Sequence, residues 1–349
     1  MPTLFDPLQI GPLTLPNRIV MAPLTRARAG AGRIPTDLMR DYYVQRASAG
    51  LILTEATSVE PMGVGYADTP GIWSDDQVAG WSRVTDAVHA AGGRIALQLW
   101  HVGRISHPMF LNGDEPVAPS AVAAEGHVSH VRPKVAFPTP RALDASEIPG
   151  IVDAFRTGAR NALLAGFDGV EIHGANGYLI DQFLQTASNH RGDRYGGAIE
   201  NRARLMLEVA DAVADVWGAD RVGMHLAPRG DGHSMGDETP ADTFGYVARE
   251  LGRRGLAYLC VREHVGENRI GPRLKQAFGG VYIANERFTR ESAETALAAG
   301  EADAVAFGQL FISNPDLPRR FAENAALNEP DFRTFYAGGP AGYTDYPAL

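Results

Sequence analysis

The stretch EIHGANGYLIDQFLQ, residues 171–185, sets His173, Asn176 and Tyr178 close together after a short apolar run. His173 and Asn176 can both offer hydrogen-bond donors toward one carbonyl oxygen, and the Tyr178 phenol can donate a proton. Two donors would polarise an unsaturated carbonyl while the nearby acid protonates carbon. A single histidine at such a place is more often a satisfied core residue. Three polar residues at one strand end point instead to a site.

Residues that act together must be held together, and the sequence shows what would hold them. Short runs rich in Val, Ile and Leu alternate with helical stretches: residues 19–23, 51–57, 94–100, 169–173, 221–226, 256–261, 280–285 and 304–308. Most are apolar on both faces, as buried parallel strands are. Between them lie segments such as SDDQVAGWSRVTDAVHAAGG, with a Ser/Asp start and a Gly-Gly stop. Eight strand–helix units predict a (β/α)₈ barrel in one domain spanning 1–349, with the active site at the carboxyl ends of the strands. Residues 102–147, rich in Gly, Pro and His, read as an excursion over the barrel mouth after the third strand.

Composition narrows the partners. The chain has 349 residues, 45% hydrophobic and 21% charged, with a formal net charge of -9. No basic block invites nucleic acid or an anionic membrane. The one cysteine, Cys260, rules out an internal disulfide and suits a reducing compartment. With no secretion signal and no run long enough to span a bilayer, the expectation is a cytoplasmic protein, monomeric or homodimeric. Ten histidines raise the possibility of a metal site in which a barrel gathers His173, His225 and His264. No HxxxH, HExxH or CxxC spacing supports it, and no metal is expected. The GxSxG elbow of a hydrolase is absent, and no GxGxxG sits at a strand–helix turn.

Nearly the whole chain resembles the old yellow enzyme family of flavin-dependent ene-reductases, especially bacterial members. The likeness rests on LFDPLQIGPLTLPNRIVMAPLTRAR, LQLWHVGR, GFDGVEIHGANGYLIDQFLQ, RYGGAIENRARL, ISNPDLP and GYTDYPAL. The resemblance implies a barrel holding FMN at its strand ends, with NAD(P)H as reductant and an enone-like small molecule as substrate. It implies that Pro23, Leu24, Thr25, Ala56 and Gln98 meet the flavin ring. His173 and Asn176 would grip the substrate carbonyl and the nicotinamide, with Tyr178 as proton donor.

The sequence departs from that pattern around one ligand. The fifth strand ends in His225 where the family has an arginine near flavin N1 and O2, and histidine supplies charge only when protonated. After Gly308 stands Gln309 in place of an arginine that pairs with the FMN phosphate. After the seventh strand, Glu286-Arg287-Phe288 replaces the small residues whose N–H groups cradle that phosphate. Two readings follow. In one, an ene-reductase has a rebuilt phosphate site, with Arg287 swung in and Glu286 turned to solvent. In the other, the scaffold has lost FMN and uses Tyr178 with His173 and Asn176 for a redox-neutral isomerisation, addition or cyclisation. A non-catalytic binding protein that keeps the pocket is the third alternative.

Overall fold

The computed structural model describes residues 1–230 and 232–349. Eight parallel strands close on themselves. They are β1 (Ile19–Met21), β2 (Leu51–Leu53), β3 (Ile95–Trp100), β4 (Gly169–Gly174), β5 (Val222–Leu226), β6 (Tyr258–Arg262), β7 (Val281–Asn285) and β8 (Ala304–Phe307). Each pairs with its neighbours in sequence, and β8 returns to β1 with Val305 opposite Ile19. The helices α1 (Asp37–Val44), α2 (Asp75–Ala90), α3 (Ile148–Leu164), α4 (Arg204–Trp217), α5 (Pro240–Arg253), α6 (Gly271–Phe278), α7 (Arg290–Ala298) and α8 (Leu317–Glu323) follow the strands in turn.

Local chemistry explains most boundaries. Ser74 caps α2 by accepting from Gln77 N–H, and the Gln77 side chain returns the bond, a reciprocal pair that satisfies two orphan donors. Proline opens α5, where its missing N–H costs nothing. One expected strand breaks. The run 51–57 leaves the ladder after Leu53, because Thr54 Oγ1 accepts from Gln98 N–H, and Thr54 and Thr57 hydroxyls both donate to the Glu55 carbonyl. Side-chain bonds have replaced the strand's own. Thr57–Ser58 then rejoins β3 beside Leu99 and Trp100.

Three additions close the barrel's ends. A hairpin, Leu8–Ile10 with Leu13–Leu15, packs Ile10 and Leu15 against Val20, Leu51, Ala96 and Ala304 at the amino end of the strands. Its turn requires glycine: Gly11 has φ +51, and a Cβ there would stand 1.9 Å from the Asp220 carbonyl oxygen. Over the opposite end lies the excursion, with Val102, Ile105, Ala124, Val128 and Phe137 packed around Trp100 and Ala56. The carboxyl-terminal tail is held by buried Arg26 and Arg28, which donate to the carbonyls of Thr334, Phe335, Gly339, Ala341 and Gly342. No described helix is long and apolar enough to cross a membrane.

Tyr343 anchors that tail. Its ring stacks on Tyr42 at 4.1 Å and lies under the Arg28 guanidinium at 4.3 Å, while its hydroxyl has no partner among the described residues. Y343A is therefore expected to cost about 3–5 kcal/mol, the usual loss for a buried aromatic ring. Y343F should be close to neutral. Chemical denaturation of both variants distinguishes packing from hydrogen bonding, and an equal loss in Y343F would contradict this account.

Candidate active site

The loop after β4 carries the three expected residues. Asn176 takes a left-handed conformation, φ +60, followed by Gly177 at φ +78, so the chain turns sharply into the short helix Leu179–Leu184. Buried Asp181 secures the turn by accepting from Gly177 N–H at 2.9 Å and from Gln185 at 2.7 Å. The His173 and Tyr178 rings meet edge to face at 4.9 Å. Tyr178 also packs against Trp100 at 5.0 Å, and its hydroxyl lies 2.9 Å from that of Tyr66. Burial lowers the His173 pKa well below the usual range, with His225 and Arg262 adding to the effect. The ring is therefore neutral, and its Nδ1 is buried with no partner among the described residues. Burial raises the Tyr178 phenol well above its ordinary value, so it remains protonated.

Beneath the loop, the barrel interior holds a buried carboxylate. Glu171 Oε1 accepts from Gln98 Nε2 at 2.7 Å and lies 3.1 Å from His225 Nδ1. Cys260 stands close enough that Glu171, His225 and Cys260 bring one possible ligand atom each within 4.8 Å of one another. Burial, reinforced by Glu171, raises the thiol pKa well above its normal range. The three histidines considered from sequence do not converge: His173 and His225 are neighbours at 5.7 Å, but His264 is exposed.

A cavity of about 910 Å³ runs across the carboxyl end of the barrel. Pro23, Leu24, Thr25, His173, Asn176 and His225 line one end, and Glu286, Arg287, Arg290, Gly308, Gln309 and Asn324 the other. Ala56, Gln98 and Tyr178, named from sequence, are not among its lining residues. Gln98 is turned to Glu171, and Tyr178 is packed under the excursion.

The loop after β7 combines a glycine-like backbone with charged side chains. Glu286 has φ +103 and Arg287 φ +57, both in the left-handed region that glycine tolerates best. The orientations are the reverse of the reading in which Arg287 swings in and Glu286 turns to solvent. The Glu286 side chain is only 14% exposed and pairs with Arg262, whereas Arg287 is 78% exposed and its Nε lies 3.4 Å from Glu286. Gln309 is exposed. Of the other arginines at this end, Arg320 is occupied by Asp316 and two carbonyls, while Arg290 is shared between Glu294 and Asn324. A ligand with a planar polar ring and an anionic tail fits this space: donors at one end, and at the other a left-handed turn with Arg287 and Arg290.

Sequence reasoning named His173, Asn176 and Tyr178 and missed their supports. Tyr66 lies in an aperiodic loop, and nothing in its spacing marked it. Tyr336, on the tail, lines the cavity and packs at a tilt against His130 of the excursion, ring centroids 4.3 Å apart. Arg262 was legible as a polar strand-end residue, a charge directly after the apolar run 256–261.

Comparison with known proteins agrees with this geometry. The sequence pattern of the family described as NADH:flavin oxidoreductase / NADH oxidase matches residues 3–328. The chain is 44% identical over 366 residues to 12-oxophytodienoate reductase 2 of Arabidopsis thaliana, covering 99% of this chain and 96% of that one. It is 44% identical over 355 residues to a Leishmania infantum protein named as a probable flavin mononucleotide-dependent alkene reductase, covering 99% and 97%. The structure of morphinone reductase in complex with tetrahydroNAD superposes with a TM-score of 0.97 at 52% identity, covering 100% of this chain and 98% of that one.

Asp181 gives the loop a pH signature. Burial pushes its carboxyl up to about 7 from an ordinary value of 3.8. The folded state therefore favours the protonated form. The stabilisation from this group is complete below about pH 4 and is lost as pH rises through about 7. Asp181→Asn removes the titration. The stability gap between wild type and variant should narrow from pH 5 to pH 8 in parallel denaturant titrations. A gap independent of pH would show that Asp181 is not the titrating group.

Proposed function

Because the chain belongs to the NADH:flavin oxidoreductase / NADH oxidase family, we propose that it is an FMN-dependent, NAD(P)H-consuming ene-reductase of the old yellow enzyme type. Its reaction is saturation of the C=C bond of an α,β-unsaturated carbonyl compound. The observation that carries this reading is a neutral, buried His173 whose Nδ1 has no partner among the described residues, beside Asn176 at one cavity wall and in edge contact with a protonated Tyr178.

The residues divide the work by position. His173 and Asn176 donate to the substrate carbonyl oxygen, and their bonds strengthen as negative charge develops there. A neutral imidazole suits this role, since it donates without giving up its proton. Tyr178 delivers its phenolic proton to the α-carbon: the O–H bond breaks, a C–H bond forms, and the phenolate left behind accepts a hydrogen bond from Tyr66 at 2.9 Å. FMN, when bound, supplies hydride to the β-carbon and is replenished by NAD(P)H. Pro23, Leu24, Thr25, Ala56, Gln98 and His225 are assigned to its ring end. The backbone at 286–287, Arg287, Gly308 and Gln309 are assigned to its phosphate end. The excursion roof keeps water from the reacting carbons. We place the enzyme in the cytoplasm, in keeping with its single buried thiol.

Whole-chain similarity to named alkene and enone reductases favours this reading over a scaffold that has lost its flavin. The purified protein should be yellow. In Tyr178→Phe, reduction of bound FMN by NAD(P)H should proceed as in wild type, while reoxidation by an enone slows about 100-fold or more, the usual contribution of a positioned acid. Rapid-mixing absorbance at the flavin band separates the two half-reactions. Enone conversion without NAD(P)H, or failure to take up FMN, would overturn the proposal.

A further inference from the structure

We infer that Arg262, held by Glu286, is a positioning residue that orients the Asn176 carboxamide and sharpens the site's preference for an oxygen that becomes negatively charged. This rests on the reading of Asn176 as a carbonyl-binding group.

Two side-chain bonds from Arg262 link the carboxyl end of β6 to the turns after β4 and β7. Arg262 is the last residue of β6 and lies opposite Asn285 in register, so Glu286 stands one position beyond it. The Glu286 carboxylate takes Arg262 Nε, and Arg262 Nη1 donates to Asn176 Oδ1 at 2.9 Å. The Asn176 backbone is held separately by His233 Nδ1, 2.7 Å from its carbonyl oxygen.

The chemistry of the central bond makes the orientation unambiguous. A carboxamide has an acceptor end and a donor end of nearly equal shape, and without a partner it can present either. Arginine has no acceptor, so only the amide oxygen can face it. The –NH₂ group is thereby left on the far side, free to donate to a substrate oxygen. A cation bonded to the amide oxygen also polarises the group and strengthens its N–H donors. Other charged or titratable groups near Arg262 are His173, Tyr178, His233, Glu286 and Arg287. The role of Glu286 then changes. On sequence it opposed a phosphate, whereas in the fold its charge is spent on Arg262. Arg262 is 47% exposed, so the ion pair contributes little to stability and its effect is to be sought in ligand binding.

The test uses FMN-loaded enzyme, with occupancy matched by visible spectrum, titrated with a simple phenol whose oxygen stands for the developing enolate. In R262M the phenolate should bind about tenfold more weakly than in wild type, as expected when a charge-assisted contact is removed. R262K, which keeps a donor-only cation, should recover to within about threefold. In an N176A background, adding R262M should change phenolate affinity less than twofold, because the effect passes through the amide. Unchanged affinity in R262M overturns the inference, and so does a full tenfold loss in the N176A background. Failure of the wild-type holoenzyme to reduce any enone would instead overturn the functional reading.

Discussion

Closure of the barrel is the constraint on which the site depends. Every strand is paired on both sides, so no strand can slide without breaking two ladders. In an alternating strand, a slip by one residue would turn each inward side chain outward. Gln98 faces Glu171 across β3 and β4, and His225 faces His173 across β4 and β5. These registers set Gln98 beside Glu171 and, two residues further along β4, His225 beside His173. All four side chains are buried, and burial makes the local electrostatics strong.

Burial assigns the protonation states. It holds His173 neutral and Tyr178 protonated, so one group can donate a hydrogen bond and the other can give up a proton without competing for the same role. Asp181, itself buried, fixes the turn between them. The donor set is therefore organised before any substrate arrives, and little reorganisation has to be added during reaction.

The far end of the cavity sets charged residues on a backbone that suits glycine. Glu286 and Arg287 adopt left-handed conformations that cost non-glycine residues about 1–2 kcal/mol each. The surrounding fold, capped by Thr289 at the start of α7, supports them. Within that turn Glu286 pairs with Arg262 at the end of β6, and Arg287 lies beside Glu286.

Much of this was legible in the residues themselves. Eight apolar runs, doubly buried, announced a parallel barrel, because only buried strands can afford apolar side chains on both faces. His173, Asn176 and Tyr178 announced their chemistry through spacing on one strand end. Charge patterns at 286, 287 and 309 marked a departure at one end of the cavity but left the side-chain orientations open. Sequence carries residue type and order, whereas the direction of a side chain depends on neighbours distant in the chain. Arg262 lies 24 residues from Glu286 and 86 from Asn176, and only the parallel pairing of β6 with β7 and the turn after β4 brings the three together. Tyr66 reaches Tyr178 from 112 residues away for the same reason. The sequence by itself determined the fold class and the chemical groups available. The tertiary structure alone decided which of them face one another, because contacts at long separation follow from strand register and barrel closure, not from spacing along the chain.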